Sequence, residues 1–495
     1  MDLIKKNKTL FVLCLCFLLI STAFIVYASH TMRGLYEDGA FYMIEALNTL
    51  SKGSFHIHTD NEHPRIIMSI LQVLPVYLSY FSGAADKFFL MKLYSFNEFF
   101  LPFAILIFNF FLTLKTKRTD VFFWHLFTYC LILLPFSIFA CVESYIGAGL
   151  HFILWNYLVS KTQINKKDAV VILFCLFCLF GTYEYVIFLG IIIFFAHFKY
   201  VLEDNSLKNQ CYKTLIGLGA FAASFYTLWF MLKVQGEDSE ILRFFKECYD
   251  YMPHSFELCS LFSITAVILL IIFSYKNKKL HPAFYLIPIG IFAFEFYRLL
   301  SIPTQSIYPM WEQHLRSIPC WAIPAIFIIM AVADKFRTEI NHTRYINLIC
   351  IVLLCGIAQT AWQINNTYYW DKNIKYMKQE LNNYERLLYV PSEHEEISGF
   401  HNENLRRYIW HGVYTPTSIL FSESYKQKTL LMQYDIQQDE GNIITRELFY
   451  LLPNKTQMSV SFGAVIDIKN KYWDLTDCAK ALDEYNKKNN IQTAE

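Results

Sequence analysis

The sequence predicts an all-α polytopic membrane protein, with about eleven transmembrane helices followed by a C-terminal extracytoplasmic α/β domain. Three observations carry this expectation. Of 495 residues, 55% are hydrophobic and only 17% charged, against about 25% charged in an ordinary soluble domain. Apolar runs approaching the ~20 residues that cross a bilayer recur as far as position 363. Beyond that point the chain becomes polar. Mean hydropathy is +0.30. Lys and Arg number 43 against 42 Asp and Glu, a net charge of +1. No basic field exists to hold a phosphate backbone, which excludes a nucleic-acid partner. Most of the 13 cysteines lie in apolar runs, as Cys14, Cys130, Cys175, Cys178 and Cys355 do. There a thiol acts as a small hydrophobe, and the single Cys175/Cys178 spacing has no second pair to complete a metal site.

The elements follow in order. Lys5, Lys6 and Lys8 precede an apolar run from Thr9 to Ala28 that is too long for a signal peptide and lacks a convincing cleavage site. It reads as a first span with its basic end inside. Two apolar segments follow, near 66–84 and 93–114. Lys115, Lys117 and Arg118 come after the second and belong on the cytoplasmic side, which requires that one of the two does not cross. The 66–84 stretch contains Gln72, Pro75 and several tyrosines, so it is expected along the outer interface.

Further spans are expected near 121–141, 142–160, 168–182, 184–198, 214–234, 256–275, 281–299, 317–334 and 344–363. The clusters Lys161/Lys166/Lys167, Lys199/Lys208/Lys213, Lys276/Lys278/Lys279 and Lys335/Arg337/Arg344 then all lie inside. The N-terminus is cytoplasmic and the C-terminus outside. The expected membrane domain is 1–363, with a first outer loop over 29–92, and the expected tail domain is 364–495. In the tail, Ile374, Met377, Leu381, Tyr384 and Leu388 recur at helical spacing. Runs 428–434 and 457–467 read as strands, and 474–487 as a closing helix.

Chemistry-bearing residues gather on the predicted outer side. Glu37 and Asp38 stand side by side just after the first span. Two carboxylates at a membrane surface are costly to desolvate unless paired or used, and either is able to act as a general base on a hydroxyl. The same pair also suits capping of the amphipathic helix that follows, with Phe41, Ile44, Leu47 and Leu50 on one face. The loop closes on His63-Pro64-Arg65, donors for an anion at headgroup level or ordinary headgroup anchors. Glu143 falls where the third span meets the fourth, and Glu184 in the break between two short spans. Later, Trp311-Glu312-Gln313-His314-Leu315-Arg316 places His314 and Arg316 outside. The guanidinium fork suits a phosphate, and interfacial snorkelling beside Trp311 is the plainer alternative. No His, Cys or Asp set has metal spacing.

This pattern resembles the GT-C glycosyltransferases, integral membrane enzymes that use polyprenyl-phosphate-linked sugars. Glu37-Asp38 match that family's first-loop acid, His63-Pro64-Arg65 its Pro-containing basic motif, and Glu143 the second acid between the third and fourth spans. The likeness covers the first ~160 residues in motifs and the rest in layout. The double proline of the aminoarabinose and protein-mannosyl branches is missing. A narrower likeness is to O-antigen-modifying glucosyltransferases, carried by Arg407-Tyr408-Ile409-Trp410 through Thr415-Pro416-Thr417-Ser418-Ile419-Leu420.

The resemblance implies inverting transfer of a sugar, of the glucose type for the narrower group, from a polyprenyl-phosphate donor to a periplasmic glycan such as O-antigen. The setting is a bacterial inner membrane. Asp38 is then the base, and Glu37 or Glu143 orients the acceptor or holds the base. His63, Arg65, His314 and Arg316 bind the departing phosphate, and Glu184 and Trp410 contact substrate. Parts of the superfamily bind a divalent cation, and the resemblance leaves that open for this chain. Two alternatives stand beside it. A polysaccharide polymerase should carry Arg-rich mid-chain outer loops, whereas the loop at 235–255 is short and acidic. A transporter should carry ionisable groups near the bilayer midplane, whereas most acids here fall at the outer rim, with His151 read as deeper.

Overall fold

The computed structural model describes residues 7–36, 38–51, 66–83, 86–134, 143–161, 163–182, 187–235, 322–331, 333–334 and 342–382. In the tail it describes 387–390, 417, 420–421, 429–432, 437–439, 443–451, 457–465 and 473–474. The predicted spans at 256–275 and 281–299 lie outside the described residues.

The described chain is predominantly helical. The helices are α1 (Lys8–His30), α2 (Asp38–Ser51), α3 (Ile66–Phe81), α4 (Lys87–Thr116), α5 (Thr119–Phe127), α6 (Glu143–Ser160), α7 (Lys166–Leu179), α8 (Ile187–Leu202), α9 (Leu207–Gln235), α10 (Ala322–Ala331) and α11 (His342–Asn382). A wider, π-type stretch from Thr128 to Leu133 continues α5. Among the described residues, α1, α4 and α11 are long and apolar enough to cross a membrane. Shorter apolar helices accompany them, and α3 has 16 residues. The surface is apolar in stripes. On α7, Val170, Leu173, Phe174 and Phe177 face outward at i, i+3, i+4 and i+7, and Phe177 is 61% exposed. The other face of α7 buries Ile172, Cys175, Leu176 and Leu179. A water-facing helix would not turn its aromatic stripe outward. This inverted pattern makes the chain membrane-associated.

By contacts the chain forms two compact units. One holds Met1–Ala23, Thr59–Ile70 and Phe100–Ala361; the other holds Phe24–His58, Leu71–Phe99 and Trp362–Glu495. The first unit is a helical bundle with two polar ties. In one, Asn156 Nδ2 donates to Asn109 Oδ1 (3.1 Å) and Thr113 Oγ1 (3.0 Å). Thr116 Oγ1 donates to Asn156 Oδ1 (2.8 Å). With the Asn109 oxygen so occupied, its amide NH2 faces His125 Nδ1 at 2.8 Å, and the neutral ring carries its proton on Nε2. Such interhelical bonds hold helices in register where burial alone does not. In the other tie, Arg118 grips Asp120 through Nε and Nη2 (2.9 and 2.7 Å) and Asp334 through Nη2 (2.6 Å). Trp155 Nε1 donates to the second oxygen of Asp334 at 3.1 Å. Burial opposes the Arg118 charge, but Asp120 and Asp334 outweigh it and raise the guanidinium pKa. Close approach of α8 and α9 needs Gly190, whose backbone lies against the Ala220 carbonyl and whose N–H donates to Ser224 Oγ.

The second unit gathers the end of α1, α2, most of α3, the start of α4 and the end of α11. Its strands form two three-stranded sheets, in the orders β2-β1-β6 and β3-β4-β5. Here β1 is Leu387–Val390, β2 Thr429–Met432, β3 Gln437–Asp439, β4 Ile443–Leu451, β5 Gln457–Val465 and β6 Trp473–Asp474. β1 and β2 run parallel with Leu387 opposite Thr429, and β4 and β5 antiparallel with Ile443 opposite Val465.

Ile374, Met377 and Leu381 are helical as their spacing implies, within α11, which runs unbroken to Asn382; two other details of the tail need correction. Leu388 leaves the helical series for β1, because Asn382 and Asn383 favour leaving a helix and the ladder to β2 satisfies the backbone beyond. The expected closing helix cannot begin at Asp474, which is in β6.

Candidate active site: the frame of the acid pair

α1 ends in a tight turn. Met32 adopts a left-handed backbone (φ 56°), and a 3-10 turn over Arg33–Leu35 follows. Thr31 Oγ1 returns a hydrogen bond to the Tyr27 carbonyl at 3.0 Å. Leu35 N bonds Met32 O, and Tyr36 N bonds Arg33 O. Gly39 N then bonds Tyr36 O at 3.2 Å. Gly39 sits directly against the Gly34 carbonyl, where no Cβ fits.

α4 supports this turn from one side. Ser95 Oγ donates to Ala28 O (3.0 Å) and accepts from Gly34 N (2.7 Å). Ser29 Oγ donates to Lys92 O (2.8 Å). α11 supports it from another. Trp370 is fully buried, and its Nε1 donates to Thr31 O at 2.9 Å. Arg33 is 2% exposed, with its guanidinium carbon 4.5 Å from the Tyr36 ring centre and 5.5 Å from that of Trp370. A cation held over two rings in a desolvated place keeps much of its attraction to them.

α3 is fixed to the same region by a side chain. Pro75 has no N–H to offer the Leu71 carbonyl four residues back. Asn97 Nδ2 supplies the missing donor, reaching Leu71 O at 2.7 Å and Gln72 O at 2.9 Å.

Asp38 is the first residue of α2 and Glu143 the first of α6. A helix N-terminus favours a carboxylate there. On α2 the buried face is Ala40, Met43, Ala46, Leu47 and Leu50. Leu47 and Leu50 of the predicted face belong to this buried set, and the side chains of Phe41 and Ile44 lie outside the described ones. Glu37, His63, Arg65, Glu184, His314, Arg316 and Trp410 lie outside the described residues. Among the described residues, no group of three or more His, Cys, Asp or Glu is placed to hold a metal ion.

Sequence reasoning passed over Arg33, Ser95 and Trp370. One signal was present: Arg33 stands just beyond the end of the apolar helix α1 opposite to its basic cluster Lys5, Lys6 and Lys8. Comparison with family models, with curated proteins and with solved structures finds no match.

Proposed function

We propose that this protein is a membrane-embedded glycosyltransferase of the GT-C kind. In this reading it moves a sugar from a polyprenyl-phosphate donor to a glycan acceptor on the outer face of a bacterial inner membrane. The observation that carries the reading is the frame at Thr31–Gly39. The turn residues that flank Glu37 and Asp38 in the sequence are tied to α4 through Ser95 and to α11 through Trp370, and to one another by backbone hydrogen bonds. A base needs such pre-organisation, because its contribution depends on standing within hydrogen-bond reach of the proton it takes. A solvated charged loop needs none.

In this reaction Asp38 accepts the proton of an acceptor hydroxyl while that oxygen attacks the anomeric carbon from the face opposite the phosphate. The bond between the anomeric carbon and the phosphate oxygen breaks, its electrons stay on the polyprenyl phosphate, and the anomeric centre inverts. Glu37 or Glu143 orients the acceptor or the base. Arg65 and Arg316, with His63 and His314, meet the charge that grows on the leaving group, and Glu184 and Trp410 contact the sugars.

The topology of the reading also has support. Ser29 and Ser95 tie the end of α1 to the start of α4, so the chain between them leaves and returns to one level. A return to one level fits an α2–α3 pair that does not cross, as the expected inner basic clusters require.

The test is Asp38→Asn at equal membrane abundance. Loss of a general base lowers transfer by about 10²–10⁴-fold. Transfer within twofold of the parent chain would overturn the assignment, and Glu37→Gln would then decide whether its neighbour is the base.

A further inference from the structure

We infer that Trp370 and Arg33 are positioning residues for the acid pair, so that α11, as well as the first loop, sets where the pair stands. The consequence for turnover rests on the transfer reading above; the positioning itself does not. Trp370 offers the turn two different things. Its indole N–H fixes the Thr31 carbonyl at 2.9 Å, and its ring stands edge-on to Tyr36 at 5.8 Å while forming one wall of the Arg33 slot. Arg33 in turn lies beside the rings of both Tyr36 and Trp370 and next to Gly34, the residue pinned on Ser95. The far side of Trp370 meets Phe421 at 6.2 Å, itself fully buried. The tail thus presses on the indole that holds the acid-bearing turn.

Packing alone predicts something different from positioning. If Trp370 only fills space, a phenyl ring serves nearly as well. If the N–H matters, Trp370→Phe frees the Thr31 carbonyl and loosens the turn while the aromatic wall remains.

The experiment uses the full chain in nanodiscs, freed of its 13 cysteines, with one cysteine introduced by Asp38→Cys. The rate of labelling by a neutral maleimide reports how freely position 38 opens. Trp370→Phe is expected to raise that rate about fivefold, the worth of one net hydrogen bond, with Trp370→Ala and Arg33→Gln raising it further. Val73→Cys, at a buried site on α3, is the control and should stay within twofold, because a general loosening would expose both sites. Position 38 staying within twofold in both Trp370 variants, or both positions rising together, would overturn the inference.

In the Asp38-intact chain, Trp370→Phe should lower kcat for consumption of a short-chain polyprenyl-phosphoglucose about fivefold, with KM within twofold. If the parent chain consumes none of this donor while labelling still responds, the transfer reading fails and the positioning stands.

Discussion

Replacing Arg118 by methionine should destabilise the bundle by about 3–5 kcal/mol, the range for breaking a buried ion pair from one side. The geometry places this site at the costly end. The side chains of Arg118, Asp120 and Asp334 are 10%, 8% and 7% exposed. The guanidinium makes three charge-assisted bonds of 2.6–2.9 Å, two of them bidentate to Asp120. Methionine fills similar volume and supplies none of them, leaving two carboxylates close together without their shared cation. Unfolding of the full chain, followed in mixed micelles with increasing SDS, measures the loss. A second arm checks its origin. Asp120→Asn with Asp334→Asn in the Arg118→Met chain removes both charges and should recover most of the deficit. Acidification should do the same: two crowded carboxylates in the folded variant bind protons more readily than in the unfolded chain, so the variant gains stability as pH falls. A loss under ~1 kcal/mol for Arg118→Met, the worth of an exposed pair, would refute the premise that the tie is desolvated.

Two further outcomes test the rest of the architecture. Gly34→Ala would put a Cβ 2.8 Å from Ser95 Cα and 3.1 Å from Glu98 Cγ. Such overpacking costs about 1–3 kcal/mol, and SDS unfolding should show that loss together with reduced transfer, since the same contact seats the acid-bearing turn. Asn156→Leu removes three bonds of the polar tie among α4, α5 and α6. At about 0.6 kcal/mol each for interhelical bonds in a membrane, the expected loss is about 2 kcal/mol, measured in the same way, with Thr116→Val losing roughly a third of that.

How much of this was legible in the sequence depends on range. Helix positions in the first half of the chain follow from apolar run length, a local signal. α4, α6, α7, α8 and α9 start or end within a few residues of the expected spans. Local chemistry was readable too: Asn165 and Asp168 form a reciprocal cap that opens α7. On α2 the helical spacing put Leu47 and Leu50 on the apolar face, and both are buried. Run length also says where an apolar stretch stops and not where a helix does, so the continuation of α11 to Asn382 was missed. The frame of the acid pair was the least legible part. Ser95 and Trp370 come from positions 61 and 339 residues away from their backbone partners Gly34 and Thr31, and no spacing rule reaches that far.

The same long-range contacts bear on the competing readings. A proton-coupled transporter needs a file of groups that take up and release protons. In the bundle, the file Thr116–Asn156–Asn109–His125 is built mainly from two amides and a hydroxyl. Its direction is set by the amide oxygens, and an amide does not change protonation at physiological pH, so the file serves as a register lock. His151 is different: its Nδ1 meets the Gly147 carbonyl at 2.7 Å, while Nε2 is buried with no partner among the described residues. Its ring stands edge-on to Phe327, a neighbour that offers no proton acceptor. The acid-bearing turn has the opposite character. Its ties are short, numerous and contributed by two other helices, which is the arrangement expected where a carboxylate has to stand in one place.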